Sequence, residues 1–154
     1  MAVFAEGKTA LNLNDCVFER REDLVALKRR LGKVDVLLLQ LSYANWVGNS
    51  DDRASHERNA QRKRVEVQLQ LQIVDPVIFI PFASFVYFSH PENFFMNAAV
   101  NRVSSIYKFT TERLGVSTVV LYSGERREVG KQKDSAESLC RYERDFERAL
   151  SSPP

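Results

Sequence analysis

The fold of this 154-residue chain is set by residues 34–39, VDVLLL, a nearly continuous apolar run that follows a helical pattern and Gly32. A run of this kind after a helix and a glycine is typical of a strand buried on both faces, as in a parallel sheet. Leucines recur at helical spacing just before it and predict a helix over residues 22–31, which Gly32 ends. The stretch therefore indicates a helix-to-strand unit of an α/β fold.

The same alternation continues on both sides of this stretch. Residues 3–14 predict a hairpin with its turn at residues 6–8. Downstream, the patterns predict a polar helix that Ser50 or Asp51 caps and that runs to about Ile73, strands at 77–80 and 116–122, and helices at 97–114 and 135–150. The chain is therefore predicted to be α/β, with an N-terminal hairpin followed by alternating helices and strands in a mixed sheet. Residues 1–150 are expected to form a single domain, and 151–154 a frayed tail.

The composition indicates a globular protein and argues against several other classes of protein. The chain is 44% hydrophobic and 27% charged, as expected for a globular domain with its own core. Its longest apolar stretch, residues 77–88, is interrupted by Pro81 and falls short of the about 20 residues of a membrane span. The net charge of +2 predicts neither a nucleic acid nor a membrane as partner. Cys16 and Cys140 make no disulfide framework, which favours free thiols in the cytoplasm.

Chemically reactive residues are concentrated where the predicted strands end. In an open α/β sheet, ligands bind outside the carboxyl ends of the strands. The residues that could converge at this edge are Asp15, Ser42, Tyr43, Trp46, Ser84, His90 and Glu125.

Asp15 and His90 each have a structural and a functional interpretation. Asp15 is either a turn former or N-cap, or a hard oxygen ligand for a divalent metal. His90 is either an exposed loop residue, or a metal ligand or proton carrier. The other histidine, His56, lies among charged residues of a predicted helix and is expected to be solvated. The aromatic run between Phe79 and Phe95 predicts core or a subunit interface, because it lacks the interleaved Arg and Lys of a nucleic-acid stacking site.

Four segments of the chain carry a resemblance to a known family. They are residues 11–16 (LNLNDC), 35–44 (DVLLLQLSYA), 81–93 (PFASFVYFSHPEN) and 121–125 (LYSGE). In order and spacing they resemble the second half of a metallo-β-lactamase-fold hydrolase, of the type found in the lactamase-like domain of CMP-N-acetylneuraminate hydroxylase and similar bacterial proteins. The resemblance implies a layered αββα sandwich with a metal site between two sheets, where Asp15 matches an aspartate ligand of that family. Zinc, iron or manganese is the implied metal.

The resemblance covers only half of that fold. The family's first-half signature, His-x-His-x-Asp-His, is absent from the sequence. Pro81 is followed by Phe82 and Ala83, as in the hydroxylase-like variant, and His90 lies nearby but outside the register of the family's last histidine. The resemblance thus implies half of the sandwich, which pairs with itself as a homo-oligomer or with a complementary N-terminal half.

Two functions follow as expectations. The first is a metal-dependent, hydrolase-like protein that is incomplete or inactive as an isolated chain. Asp15 and His90 are then its candidate metal ligands, and its substrate or partner surface is formed by Ser42, Tyr43, Trp46, Ser84 and Glu125. The alternative is a non-catalytic α/β oligomerisation or partner-binding subunit, which uses Trp46 and the aromatic segment.

Overall fold

A computed structural model describes residues 1–14, 16, 18, 20–83, 85–131 and 134–151. Its centre is a four-stranded mixed sheet in the order β1-β2-β3-β4. The strands are β1 (Ala2–Ala5), β2 (Lys8–Asn12), β3 (Val36–Leu39) and β4 (Ile78–Pro81). β1 pairs antiparallel with β2, and β2, β3 and β4 are mutually parallel along the sheet. The α/β class, the mixed sheet and the N-terminal hairpin are therefore confirmed.

Helices connect the parallel strands. The α-helices are α1 (Arg21–Leu31), α2 (Arg53–Val74), α3 (Val103–Lys108) and α4 (Ala136–Leu150), with a 3₁₀ helix at Phe94–Ala99 and a π-helical turn at Phe109–Arg113. The predictions for α1, α2 and α4 are confirmed in type and place. Across the part of the chain that is described, no helix combines the length and apolar character that crossing a bilayer requires.

The N-cap of α2 differs from the predicted one. The helix begins after Asp52, whose side chain accepts a hydrogen bond from the Ser55 backbone N–H at 3.0 Å. Ser50 and Asp51, the predicted caps, lie two residues and one residue too early, respectively. An N-cap side chain must reach the free N–H groups of the first turn, and Asp52 is the residue that does so.

The predicted continuous helix over residues 97–114 is wrong. The chain leaves the helical region at Val100, with ψ 145°, between the 3₁₀ helix and α3. The Asn97 amide donates to the backbone oxygens of Phe88 and Phe94, and the Asn101 amide donates to those of Leu41 and Ala60. These contacts hold the two asparagines against other segments, and such side-chain bonds compete with a regular helix.

The predicted third buried strand, residues 116–122, is reduced to one bridge. Thr118 pairs parallel with Phe79, and the described residues extend this pairing no further. On the side away from β4, the Val120 N–H donates to the Ser135 hydroxyl at 3.0 Å. The apolar pattern predicts a buried segment correctly, but its pairing with β4 is limited to this one bridge.

The two faces of the sheet are covered differently. On the first face, strand residues such as Leu37, Leu39 and Phe79 form one core with residues of α1, α2 and α3. On the second face, Val36, Ile78, Ile80 and Val119 cluster with Ala10, Leu38 and Leu121. Within the described ranges, no helix residue belongs to this second cluster. The helices α1 and α2 therefore pack on the first face. The second face carries a smaller apolar cluster of buried strand residues, and Val103 of α3 and Tyr142 of α4 lie beside its carboxyl end.

Candidate functional site

A cavity of about 340 Å³ lies between the segment that follows β3 and the side of α2 that carries Asn59, Arg62, Lys63 and Glu66. It is at the carboxyl end of a parallel strand, the edge where ligands bind in α/β folds. The residues that matter to its chemistry are Ser42, Tyr43, Asn59, Arg62, Lys63 and Glu66. The sequence predicted the first two of these as site residues, and the structure brings them to one cavity.

Two hydrogen-bond donors at this cavity are buried without a partner. Ser42 is 1% exposed, and its Oγ has no partner among the described residues. The same holds for Nδ2 of Asn59 on α2. Buried polar groups in native proteins are nearly always hydrogen-bonded, so each exception needs an explanation.

One buried amide fixes both donors in position. Nδ2 of Asn101 donates to the backbone oxygens of Leu41 at 2.9 Å and of Ala60 at 3.0 Å. Leu41 directly precedes Ser42, and Ala60 directly follows Asn59. Oδ1 of Asn101 accepts from Nε of Arg64 at 2.7 Å, which ties the same amide to a further turn of α2. Asn101 therefore holds the two walls of the cavity at a fixed separation.

Charged groups on α2 line the opening of this cavity. Glu66 accepts from Nε of Arg62 at 3.1 Å and lies 3.5 Å from Nζ of Lys63. Two cations therefore share one carboxylate, and the cluster keeps one net positive charge. Burial raises the pKa of the neighbouring Tyr43 hydroxyl, which adds a neutral group to the site. The site thus offers mainly donors and positive charge.

An aromatic cluster packs around the segment that follows β3. Tyr43 packs near Phe88, with ring centroids 6.2 Å apart, and Trp46 meets Phe95 edge-on at 5.9 Å. The ring of His56 lies 5.2 Å from that of Phe95. His56 is only 3% exposed, so the prediction that it is solvated is wrong.

The burial of His56 and the position of Asn59 at the cavity were not predicted from the sequence. The buried residues of α2 are His56, Ala60, Val67, Leu71 and Val74, which recur at helical spacing. Extending this stripe to the start of the helix would have placed His56 on the buried face. No sequence signal marks Asn59, because the other wall of its cavity is formed by residues 40–45, which are distant along the chain.

Glu125 has a structural environment on α4. It accepts hydrogen bonds from the Tyr122 N–H at 3.0 Å and from the Ser138 hydroxyl at 2.7 Å, and Arg141 lies 3.6 Å away. The neighbouring Tyr122 hydroxyl donates to Asp145, and this bond raises the pKa of Tyr122. These contacts anchor the segment after residue 119 to α4.

The predicted metal ligands are only partly described. Asp15, and likewise the predicted surface residue Ser84, lie outside the described residues. The side chain of His90 is 66% exposed, and its Nδ1 lies 3.9 Å from a carboxylate oxygen of Glu92. The described residues hold no group of three His, Cys, Asp or Glu side chains suited to a metal ion, whereas catalytic zinc usually takes three protein ligands. By themselves, the described residues do not fit a metal centre.

The predicted site residues thus occupy different places. Ser42 and Tyr43 line the cavity, Trp46 belongs to the aromatic cluster, Glu125 is anchored to α4, and His90 lies on an exposed turn. No family model, curated protein or solved structure matches this chain. Its function therefore has to be argued from the geometry of the chain itself.

Proposed function

We propose that this chain is one sheet-and-helix layer of a metallo-β-lactamase-like, metal-dependent hydrolase. A complementary layer, supplied from outside residues 1–154, docks on its second sheet face. The observation that carries this proposal is the apolar cluster on the second sheet face, which no described residue of α1 or α2 joins and which ends in the half-buried side chains of Ala10, Leu38 and Leu121. A sheet with an apolar face needs a second layer against that face.

The apolar surface continues to the carboxyl end of the strands. A cavity of about 420 Å³ is lined there by Leu38, Ile80, Phe85 and Leu121 among others. The nearby Phe82 and Phe85 are 42% and 40% exposed. Apolar surface that is contiguous in this way marks an interaction site in a folded protein.

The proposed chemistry belongs to the assembled layers. Asp15, which follows β2 along the chain, is the ligand that the resemblance assigns to this layer, and His90 is its second candidate. The remaining ligands would come from the docked layer. No catalytic step is assigned to this chain alone, because its described residues do not complete a metal site.

Docking is tested by the association state of the purified chain. In the absence of a complementary layer, a second copy is expected to cover the second sheet face, so the wild-type chain sediments as a dimer. Leu38→Lys and Leu121→Lys put a charge on this face and are expected to give monomers. Val65→Lys is the matched control, since Val65 is 56% exposed on α2 and should leave association unchanged.

The sedimentation result also has a contradicting outcome. Circular dichroism first establishes that each variant is folded. A wild-type chain that stays monomeric, or that associates equally well with Leu38→Lys and Leu121→Lys in place, contradicts docking on this face.

Metal binding is tested separately by titrating the chain with zinc, manganese and iron(II). The proposal predicts binding that Asp15→Ala removes, while Asp51→Ala, an exposed aspartate before α2, retains it. No binding at saturating metal would remove metal chemistry from this layer. The second candidate function, a non-catalytic partner-binding subunit, then stands, and it is favoured by the absence of a three-ligand group in the described part of the chain.

A further inference from the structure

We propose that the cavity between the segment after β3 and α2 binds an oxyanion, the phosphate or carboxylate group of a small molecule. The proposal rests on the described side chains at this cavity alone. It requires neither the metal nor the second layer proposed above, so the failure of either proposal leaves the other intact.

The unpaired donors define what the ligand must offer. The hydroxyl of Ser42 and Nδ2 of Asn59 are both buried, both lack a partner among the described residues, and both belong to residues that line the same cavity. A ligand that pairs them must supply hydrogen-bond acceptors. A carboxylate carries only acceptor atoms at neutral pH and a phosphate group carries mainly acceptors, so either can accept from both sides of the cavity at once.

The charges select the sign of the ligand. Arg62 donates to Glu66 through Nε, which leaves its terminal nitrogens without a partner among the described residues. Lys63 shares the same carboxylate at 3.5 Å. The cluster therefore keeps one net positive charge beside the neutral donors, an arrangement that attracts an anion and repels a cation. Charge-assisted bonds from a guanidinium to an oxyanion are among the stronger hydrogen bonds in proteins.

The cavity is held open before any ligand arrives. Asn101 bonds the backbone next to Ser42 and the backbone next to Asn59 with a single amide group, at 2.9 and 3.0 Å. Its own oxygen is occupied by Arg64. Because both walls are fixed by the same buried residue, the donors need not be ordered at the cost of binding affinity.

The proposal is tested by titrating the full chain with inorganic phosphate and with acetate, at constant ionic strength against chloride. Binding is followed by amide chemical shifts and by calorimetry. Saturable binding of at least one oxyanion is expected, with the largest shifts at Ser42 and Asn59. Arg62→Ala is expected to weaken it by about tenfold or more. Asn59→Asp, which puts an acceptor and a negative charge in place of the donor, is expected to abolish it.

Arg53→Ala provides the matched control. Arg53 is on the same helix and pairs with Glu57 at 2.8 Å in the same i,i+4 arrangement as Arg62 with Glu66, but it does not line the cavity. It is expected to bind phosphate and acetate as the wild-type chain does. Equal losses in Arg53→Ala and Arg62→Ala would reduce the effect to general ionic attraction and overturn the proposal. Non-saturable binding, or unchanged binding by Asn59→Asp, would overturn it as well.

Discussion

Ser42 carries a hydroxyl that is buried without a partner among the described residues. Leaving a buried donor unsatisfied costs about 1–3 kcal/mol, and alanine removes the donor with little change in shape. Ser42→Ala is therefore expected to raise the free energy of unfolding by about 1 kcal/mol in buffer free of oxyanions. Urea denaturation of the two chains measures this difference.

Ser138 provides the comparison for this substitution. It is as buried as Ser42, but its hydroxyl donates to Glu125 at 2.7 Å. Ser138→Ala is expected to lower the free energy of unfolding by about 1–3 kcal/mol, because it leaves a carboxylate with one donor fewer. A loss of stability of the same size in Ser42→Ala would mean that its hydroxyl is paired, which contradicts the assignment of the cavity.

Asp35 predicts how stability depends on pH. Its carboxylate accepts from the Thr9 N–H at 2.9 Å and pairs with Lys33 at 2.9 Å, and these contacts, the first more than the second, lower its pKa. A folded-state pKa below the unfolded value of about 3.9 stabilises the fold above that pH. This contribution is lost as the pH falls through the folded-state pKa.

Asp35→Asn is therefore expected to lower the free energy of unfolding at neutral pH and to flatten its fall below about pH 4. Thermal unfolding between about pH 2 and pH 7 measures both effects. Asp23→Asn, which removes an exposed pair with Arg20, should leave the curve close to that of the wild-type chain. Parallel curves for the wild-type chain and Asp35→Asn would contradict the role of Asp35.

At the scale of elements, the N-cap of α2 separates two adjacent aspartates. Asp52 accepts from the Ser55 N–H at 3.0 Å, whereas Asp51 lies before the cap and is exposed. Asp52→Ala is expected to lower the free energy of unfolding by about 1 kcal/mol, and Asp51→Ala to leave it nearly unchanged. Chemical denaturation of both variants measures the effect. Equal effects would contradict the assignment of the cap.

The elements that could be predicted from sequence are those whose signals are local. Gly32 ends α1 with φ 70°, and Asp75 before Pro76 ends α2, and both stops are visible in the sequence. The helix over 97–114 was mispredicted because distant groups hold its first part, and the segment 116–122 makes a distant side-chain contact and only one bridge to β4. Asn101 bonds Leu41 and Ala60, and the Val120 N–H bonds Ser135. Hydrophobic periodicity contains no information about such partners.

The residues of the candidate site also fall into two groups, those that could be predicted from the sequence and those that could not. Ser42 and Tyr43 follow a strand that the apolar pattern predicts, so their place at the sheet edge could be inferred from sequence. The same cavity is also lined by Asn59, Arg62 and Lys63. Their position depends on how α2 packs on the first face of the sheet, and the residue pattern of α2 does not fix this packing. His56 is different, because it continues the helical spacing of the other buried residues of α2 and its burial could have been inferred from that pattern.

At the scale of the whole molecule, neighbouring strands of the sheet are paired over different lengths. β3 and β4 pair over four residues, from Val36 with Ile78 to Leu39 with Pro81, whereas residues 116–122 contribute a single bridge to β4. Segment 116–122 also leads to Tyr122 and Glu125, which are attached to α4. The edge next to the second sheet face is therefore held more by α4 than by the sheet.

Amide hydrogen exchange tests this difference on two equally buried residues. Ile78 is 6% and Val119 is 5% exposed, and each N–H donates to one backbone oxygen, at 3.0 Å to Asp35 and at 2.9 Å to Phe79. Local opening of a single bridge costs less free energy than opening a continuous ladder, so the Val119 amide is expected to exchange at least about tenfold faster than the Ile78 amide.

Docking of a further layer adds a second expectation for this amide. Because Val119 lies on the second sheet face, docking should slow the exchange of its amide more than it slows the exchange of an amide on α1. Equal protection of Ile78 and Val119 in the monomeric Leu38→Lys chain would mean that residues 116–122 are a full strand and that the sheet needs no second layer to hold this edge.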